Sequence, residues 1–474
     1  MTSRADVLVV GAGTAGLTCA LALADAGRRV VVVEAQAHVG GTLHVSAGHM
    51  SAAGTRRQRA AGIDDDPDLH FADVMRIGGG RADAALVRLA VDEAPALVDW
   101  LDEHGFEFAP ETPVVYRGHS PYSRPRTYWG RHNGRSILDT IVPMFDRHVD
   151  AGRIELLLST RMSQLVVQAG EVVGALVTGP DGVPTEVRAA ATVLACGGYG
   201  SAEDLFVELT PGVDRLVTNA IATARGDGLR AATALGAASR FGELHTPRLG
   251  LLERRAAPGR VDFWTEMLVL DPVTRPPREI WVNRAGARFV AEDADDVTTQ
   301  ERAVLAQPGA QFWVVFDEQA LRSGEPLVRQ WDADRLRAEA RQGDVAWCAD
   351  TVEALADAAG IDAPGLARTV IAYNSAITGV ADPWGRVTFS APIATAPYYA
   401  VRTPAALLCS FGGVSVDPTL AVRRDDGFAV PRLYAVGEVL GMGATSGAAF
   451  CGGMAVTPAL ALGRWLGHRL AEIC

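Results

Sequence analysis

The first apolar run of the chain, Val7–Val10, carries no polar residue, the pattern of a strand buried on both faces. The text around it, "ADVLVVGAGTAGLTCALALADAGRRVVVVEA", passes through a glycine turn into an alanine- and leucine-rich segment that predicts a helix. A second apolar run follows and ends at Glu34. Two later runs also predict strands. "ATVLACGGYG" (191–200) ends in small residues, and "VPRLYAVGEVLG" (430–441) leads into Gly437 and Glu438. "GDGLRAATALGA" (226–237) predicts a helix with small faces, and residues 332–374 a helix-rich stretch. Residues 113–134, "PVVYRGHSPYSRPRTYWGRHNG", are too long and irregular for an ordinary connection; loops of that kind are usually functional or mobile. The fold class is α/β.

Composition narrows the function classes. A formal net charge of −12 without a long basic run argues against a nucleic-acid partner. Residues 440–462 form the nearest approach to a membrane span, but they are rich in glycine and other small residues, which suits close packing. "MTSRADVLVVGAG" has neither the charged n-region nor the apolar h-region of a signal peptide, so a cytoplasmic protein with no membrane partner is expected. Six scattered cysteines without CxxC spacing predict neither a zinc site nor a disulfide framework, and no metal is expected.

Gly11, Gly13 and Gly16 form GxGxxG in the context that gives this motif its meaning, after a strand and opening a helix. The first glycine permits the tight turn, the second lets a pyrophosphate approach the backbone, and the third lets helix and strand pack closely. Thr14 and Ala15 lie at the helix start, where free N–H groups meet phosphate. Glu34, followed by Ala35, ends the second strand eighteen residues beyond Gly16, where a carboxylate accepts hydrogen bonds from ribose.

Gly40 and Gly41 follow that acid, as in flavoproteins whose chain passes back beside FAD. Ala195, Cys196 and Gly197, and later Gly437 and Glu438, resemble two further flavoprotein segments. Their order along the chain points to FAD rather than NAD. "GGTLHVSAGHMSAAGT" (40–55), "IWVNRAGARFVAED", "FGGVSVD" and "LYAVGEV" resemble the fumarate reductase/succinate dehydrogenase flavoprotein family over nearly the whole chain, and within it the tricarballylate dehydrogenase and ketosteroid dehydrogenase branch. The resemblance implies a Rossmann-like FAD-binding domain (1–243 and 411–474) interrupted by an α+β capping domain (244–410), whose composition turns rich in Trp and Arg. It also implies FAD contacts at Thr42, Ala47, Gly48, Met162, Asp227, Gly453 and Met454.

Family members move a hydride between flavin N5 and a substrate carbon while a protein group moves a proton at the neighbouring carbon. In the fumarate-reducing branch, histidines and arginines clamp the dicarboxylate. His245 is retained here in "ELHTP", but Cys409 replaces the second histidine, Phe450 replaces an arginine, and Arg302 meets the proton-delivering arginine only in a shifted alignment. A clamp so depleted of cations cannot pair two carboxylates. The expectation is therefore not a fumarate reductase, but a dehydrogenase or reductase acting on a CH–CH or C=C bond beside a carbonyl or carboxylate. The substrate is a small molecule with one anionic group, or a neutral ring ketone. Electrons exchange with a separate acceptor or with oxygen. An oxidase or oxygenase, and a redox-neutral isomerase, are the alternatives.

His245 is the first candidate for substrate contact, set against a role as a satisfied interdomain histidine. Tyr116, Tyr122 and Tyr128 on the long loop are candidate proton donors, and Arg124, Arg126 and Arg131 candidate carboxylate ligands; packing or solvated roles compete for each. Cys409 and Cys451 could approach the flavin, although buried free cysteines are commonly apolar fillers. Succinate dehydrogenases carry a flavin-linked histidine near Thr42, two residues from His44, but covalent attachment at His44 is not the favoured reading. His49 takes the second position of a "GG" pair of soluble relatives. It is expected to border the flavin and substrate pocket as a hydrogen-bonder or base.

Overall fold

The computed structural model describes residues 4–272, 275–323 and 325–474. The strand Arg4–Val10 lies at the centre of the larger sheet, parallel to Val30–Val33 on one side and to Pro184–Leu194 on the other. Ile154–Leu157 forms one edge of the sheet, parallel to Val30–Val33, while on the other side Ala429–Ala435 runs parallel to Pro184–Leu194 and pairs antiparallel with the edge strand Ala421–Arg423. All four residues of Val30–Val33 are buried, because elements cover both faces. An antiparallel meander, Arg161–Gln168, Glu171–Thr178 and Pro184–Leu194, branches from this frame.

The first helix, Thr14–Asp25, follows the glycine turn and packs along the C-terminal helix Val456–Ile473. A Cβ at Gly463 or Gly467 would lie 2.5 Å from the carbonyl oxygen of Ala15 or Cys19, respectively. The small residues near the C-terminus therefore let two helices approach backbone to backbone. Among the described residues, no helix is long and apolar enough to cross a membrane.

A second, four-stranded sheet comes entirely from the later part of the chain: Ile280–Val282, Gln311–Asp317, Tyr398–Pro404 and Ala346–Ala349, all antiparallel. Helices Ala333–Gln342, Val352–Ala359 and Ala363–Ile377 accompany it, so the stretch read as helix-rich also contains a strand. Trp281, Trp313, Trp331 and Trp347 are buried in the cores on the two sides of this sheet, separate from the core of the larger sheet. Residues 217–220, ahead of the expected insertion, also join this unit: Val261 N–H donates to Thr218 O and Asn219 N–H to Leu407 O.

Candidate functional site

A long cavity runs between the two units, and its walls come from segments far apart in sequence. At one end lie Gly11, Gly13, Thr14, Ala15, Glu34 and Ala35. Gly11 has φ +106°, and a Cβ there would stand 2.4 Å from Ala195 O. The turn is thus open only to glycine. The helix that follows has no side-chain cap, so its first N–H groups face the cavity. A Cβ on Gly13 would meet nothing nearer than Gly41 Cα at 4.0 Å, so backbone is exposed to the space. Glu34 accepts from Ala12 N–H (2.7 Å) and Gln36 N–H (2.8 Å), which fixes its carboxylate against the same wall.

The middle of the cavity is walled by Gly41, Thr42, Ala47, Met162, Ala195, Cys196, Gly197 and Asp227. Asp227 is paired with Arg161, which also lines the wall. Gly437, Glu438, Gly453 and Met454 follow. Glu438 accepts from Ser410 N–H (2.9 Å), and burial pushes its carboxyl above the ordinary range. The C-terminal helix also starts without a side-chain cap, and its first residues, Ala455 and Val456, line the wall. Two uncapped helix starts, two fixed carboxylates and an exposed glycine backbone fit the phosphates, hydroxyls and reducible ring of FAD.

Three glycines expected at the cofactor are absent from the wall, for steric reasons. A Cβ at Gly16 would come within 1.8 Å of Gly11 O, one at Gly48 within 2.6 Å of Gly134 N, and one at Gly40 within 2.7 Å of His44 Nε2. These glycines set close packing behind the wall.

At the far end stand His49, Tyr116, His119, Arg248, Phe263, Cys409 and Phe450. The His49 ring lies 4.5 Å from Tyr116 and 5.1 Å from Trp129, and His119 stacks on Phe450 at 5.3 Å. Burial holds His49 down at about 4 and His119 at about 3, with Arg248 adding to the effect on His119. Both rings are neutral at pH 7. Burial also pushes the Cys409 thiol far above its ordinary value and Cys451 up to about 12, so neither is a thiolate. Cys451 instead donates to Ser446 O at 3.6 Å.

A scan against family models matches residues 6–455 to the FAD binding domain family. The chain belongs to that FAD-binding family. A "probable fumarate reductase" of Shewanella frigidimarina (strain NCIMB 400) is 30% identical over 98% of this chain and 75% of its own length. The open conformation of a flavocytochrome c3 fumarate reductase superposes with TM-score 0.76 at 27% identity, covering 99% of this chain and 78% of that one. A 3-ketosteroid delta1-dehydrogenase from Sterolibacterium denitrificans shares the fold with TM-score 0.80 at 21% identity, over 100% of both chains. The protein is an FAD-dependent oxidoreductase.

For this flavoprotein, several site residues lie elsewhere than expected. Arg126 is fully buried and bound to Asp65 through Nε (3.0 Å) and Nη2 (2.7 Å), with Asp73 at 3.1 Å. It is a structural cation, not a carboxylate ligand. Tyr128 is also fully buried, its hydroxyl 2.7 Å from that of Thr55. Thr127–Tyr128 pairs with Met50–Ser51, so this part of the long loop backs the strand that follows His49 and leaves the wall to other residues. Arg124 and Arg131 are exposed. His245 packs edge-on to Phe206 and Phe411, away from the cavity wall, and burial lowers it to about 4. His44 is exposed and bonded to Val39 O (2.9 Å).

Arg248, three residues beyond His245, and His119 on the long loop were not singled out in the sequence. For Arg248 the legible signal was a cation close to a family motif. His119 had none, because an irregular loop has no period that assigns a side chain to a face.

Proposed function

We propose that this flavoprotein catalyses two-electron reduction or oxidation of a carbon–carbon bond next to a carbonyl or carboxylate, on a substrate with at most one anionic group. The observation that carries the proposal is the charge at the far end of the cavity. Among the described residues lining it, Arg248 is the arginine without a carboxylate within ion-pair distance, since Arg161 is occupied by Asp227. His49 and His119 are neutral, and Phe450 and Cys409 bring no charge. A dicarboxylate would leave one carboxylate unpaired in a partly desolvated space.

FAD supplies or accepts the hydride when bound. Gly13, Thr14 and Ala15 would hold its phosphates, Glu34 and Glu438 its hydroxyls, and the start of the C-terminal helix would stabilise negative charge on its reduced ring. The rest is the work of this chain's own groups. His49 as a neutral imidazole can donate one hydrogen bond and accept another, and Tyr116 beside it carries a hydroxyl. Together they place a proton donor or acceptor against a substrate bound between the aromatic walls. Trp264, from the smaller unit, donates its indole N–H to Val45 O (3.1 Å), and Ser120 on the long loop donates to Asp296 (2.5 Å). These contacts tie the smaller unit to the small-residue run and to the long loop.

The test is anaerobic mixing of the purified, FAD-loaded protein, oxidised or reduced, with cyclic enones, saturated ketones, enoates and fumarate, following the flavin absorbance. Reaction with a neutral or monoanionic compound, at a rate well above that with fumarate, is expected. Fumarate reacting fastest would refute the proposal.

A further inference from the structure

Arg248 presents a charge that the protein leaves uncompensated. Its Nε is buried without a hydrogen-bond partner, and no carboxylate of the described residues stands within 4.0 Å of its guanidinium. Its backbone is fixed by an antiparallel bridge to Ala406, with Arg248 N–H donating to Ala406 O (2.7 Å), so the side chain starts from a rigid base. An unpaired cation in a partly desolvated wall is costly unless a ligand completes it.

The acid that acts on Arg248 electrostatically is Glu301, from the helix Val297–Leu305. Glu301 is 1% exposed and its Oε1 has no hydrogen-bond partner. Burial pushes its carboxyl up to about 8, against the opposing pull of Arg248 and Arg302 and with a push from Asp296. Glu301 is therefore protonated at neutral pH and leaves the charge of Arg248 intact. His119, on which Arg248 acts from the long loop, and His49, which lines the same cavity from the small-residue run, are neutral at the same pH. Across the cavity, Tyr116, Phe450 and Phe263 offer flat apolar surfaces.

We infer that Arg248 anchors the carboxylate of a planar, conjugated monocarboxylic acid whose apolar body lies between the aromatic walls, and that Glu301, buried with its Oε1 unpartnered, is a positioning residue that leaves the charge of this anchor uncompensated. The inference rests on the proposed C–C bond chemistry and sharpens it, choosing the monoanion over the neutral ring ketone. With its carboxyl pushed up to about 8, an ionised Glu301 at higher pH would oppose the charge of Arg248 and weaken the site for anions.

The experiment measures binding, separately from turnover. Oxidised, FAD-loaded protein is titrated with cinnamate and with its neutral isostere cinnamamide, reading the perturbation of the flavin spectrum between pH 6.5 and 9.5. Cinnamate is expected to bind roughly 30-fold or more tightly than cinnamamide at pH 7, and Arg248→Met to abolish that preference. The affinity for cinnamate should fall as pH passes about 8, and Glu301→Gln should flatten that profile. FAD content confirms that each variant is folded, and Arg248→Lys, which keeps a charge, should retain part of the preference. Equal binding of acid and amide, or an alkaline fall that persists in Glu301→Gln, would overturn the inference while leaving the proposed reaction standing. Arg248-dependent binding of the acid, without reoxidation of the reduced flavin by any enoate or enone, would instead overturn the reaction.

Discussion

Replacing Arg126 by methionine separates a structural cation from a catalytic one. Arg126 and Asp65 have fully buried side chains joined by two hydrogen bonds, and Asp73, 6% exposed, completes the cluster. Methionine fills much of the volume but leaves two carboxylates without their shared partner. Asp73 keeps Ser123 and Arg76, whereas Asp65 keeps only Gln58 and a backbone N–H. Burial already raises the Asp65 carboxyl, so losing the guanidinium drives it towards the protonated form. Breaking one partner from a buried pair typically costs about 3–5 kcal/mol. At about 2 °C per kcal/mol for a large domain, the melting temperature should fall by roughly 6–10 °C. Thermal unfolding followed by FAD fluorescence measures the fall, and the double variant Asp65→Asn/Arg126→Met should recover part of it by removing the orphaned charge. Turnover per bound FAD should stay within a few-fold of wild type. A wild-type melting temperature with turnover lost would refute the structural reading and return Arg126 to the substrate.

Other outcomes follow from the same geometry. His49→Gln should retain FAD but slow hydride exchange about 100-fold or more, read by stopped-flow at 450 nm, if the imidazole moves the proton; a near-wild-type rate would assign the proton to Tyr116. His49, His119 and His245 have folded-state values held below the ordinary 6.5, so unfolding binds protons in the acid range. The histidines' contribution to stability is therefore complete above about pH 6.5 and lost as pH falls through about 4 and, for His119, about 3, which chemical denaturation across that window will measure. Gly13→Val should place a side chain in open cavity space and expel FAD without unfolding the protein, whereas Gly11→Ala meets Ala195 O at 2.4 Å and should also lower stability; absorbance at 450 nm and circular dichroism distinguish the two. Acid precipitation should release all of the FAD, since His44 is bonded to Val39 O outside the cavity wall.

Local patterns made the cofactor half legible. Short apolar runs, a glycine turn between strand and helix, and an acid at the end of the next strand are short-range features set largely by the backbone. Gly11, Gly13, Glu34, Gly437 and Glu438 were readable for that reason. The substrate end depends on which side chains an irregular loop and an inserted unit deliver to one space. Tyr128 and Arg126 lie in the same loop as Tyr116 and His119, yet the pairing of Thr127–Tyr128 with Met50–Ser51 turns the first two into the core, while the latter two reach the cavity. His245 and Arg248 are three residues apart, and tertiary packing against Phe206 and Phe411 takes the histidine while the arginine meets the cavity.

The sequence by itself determined the nucleotide-binding fold, the glycines and acids that meet along one cavity, and the absence of cations at Cys409 and Phe450, because these depend on backbone conformation and on residue identity. His49 was expected at the pocket from the sequence; only the tertiary structure decided that Tyr116 stands beside it and that one arginine faces the cavity without a partner. Burial, and with it protonation state, is set by neighbours distant in the chain.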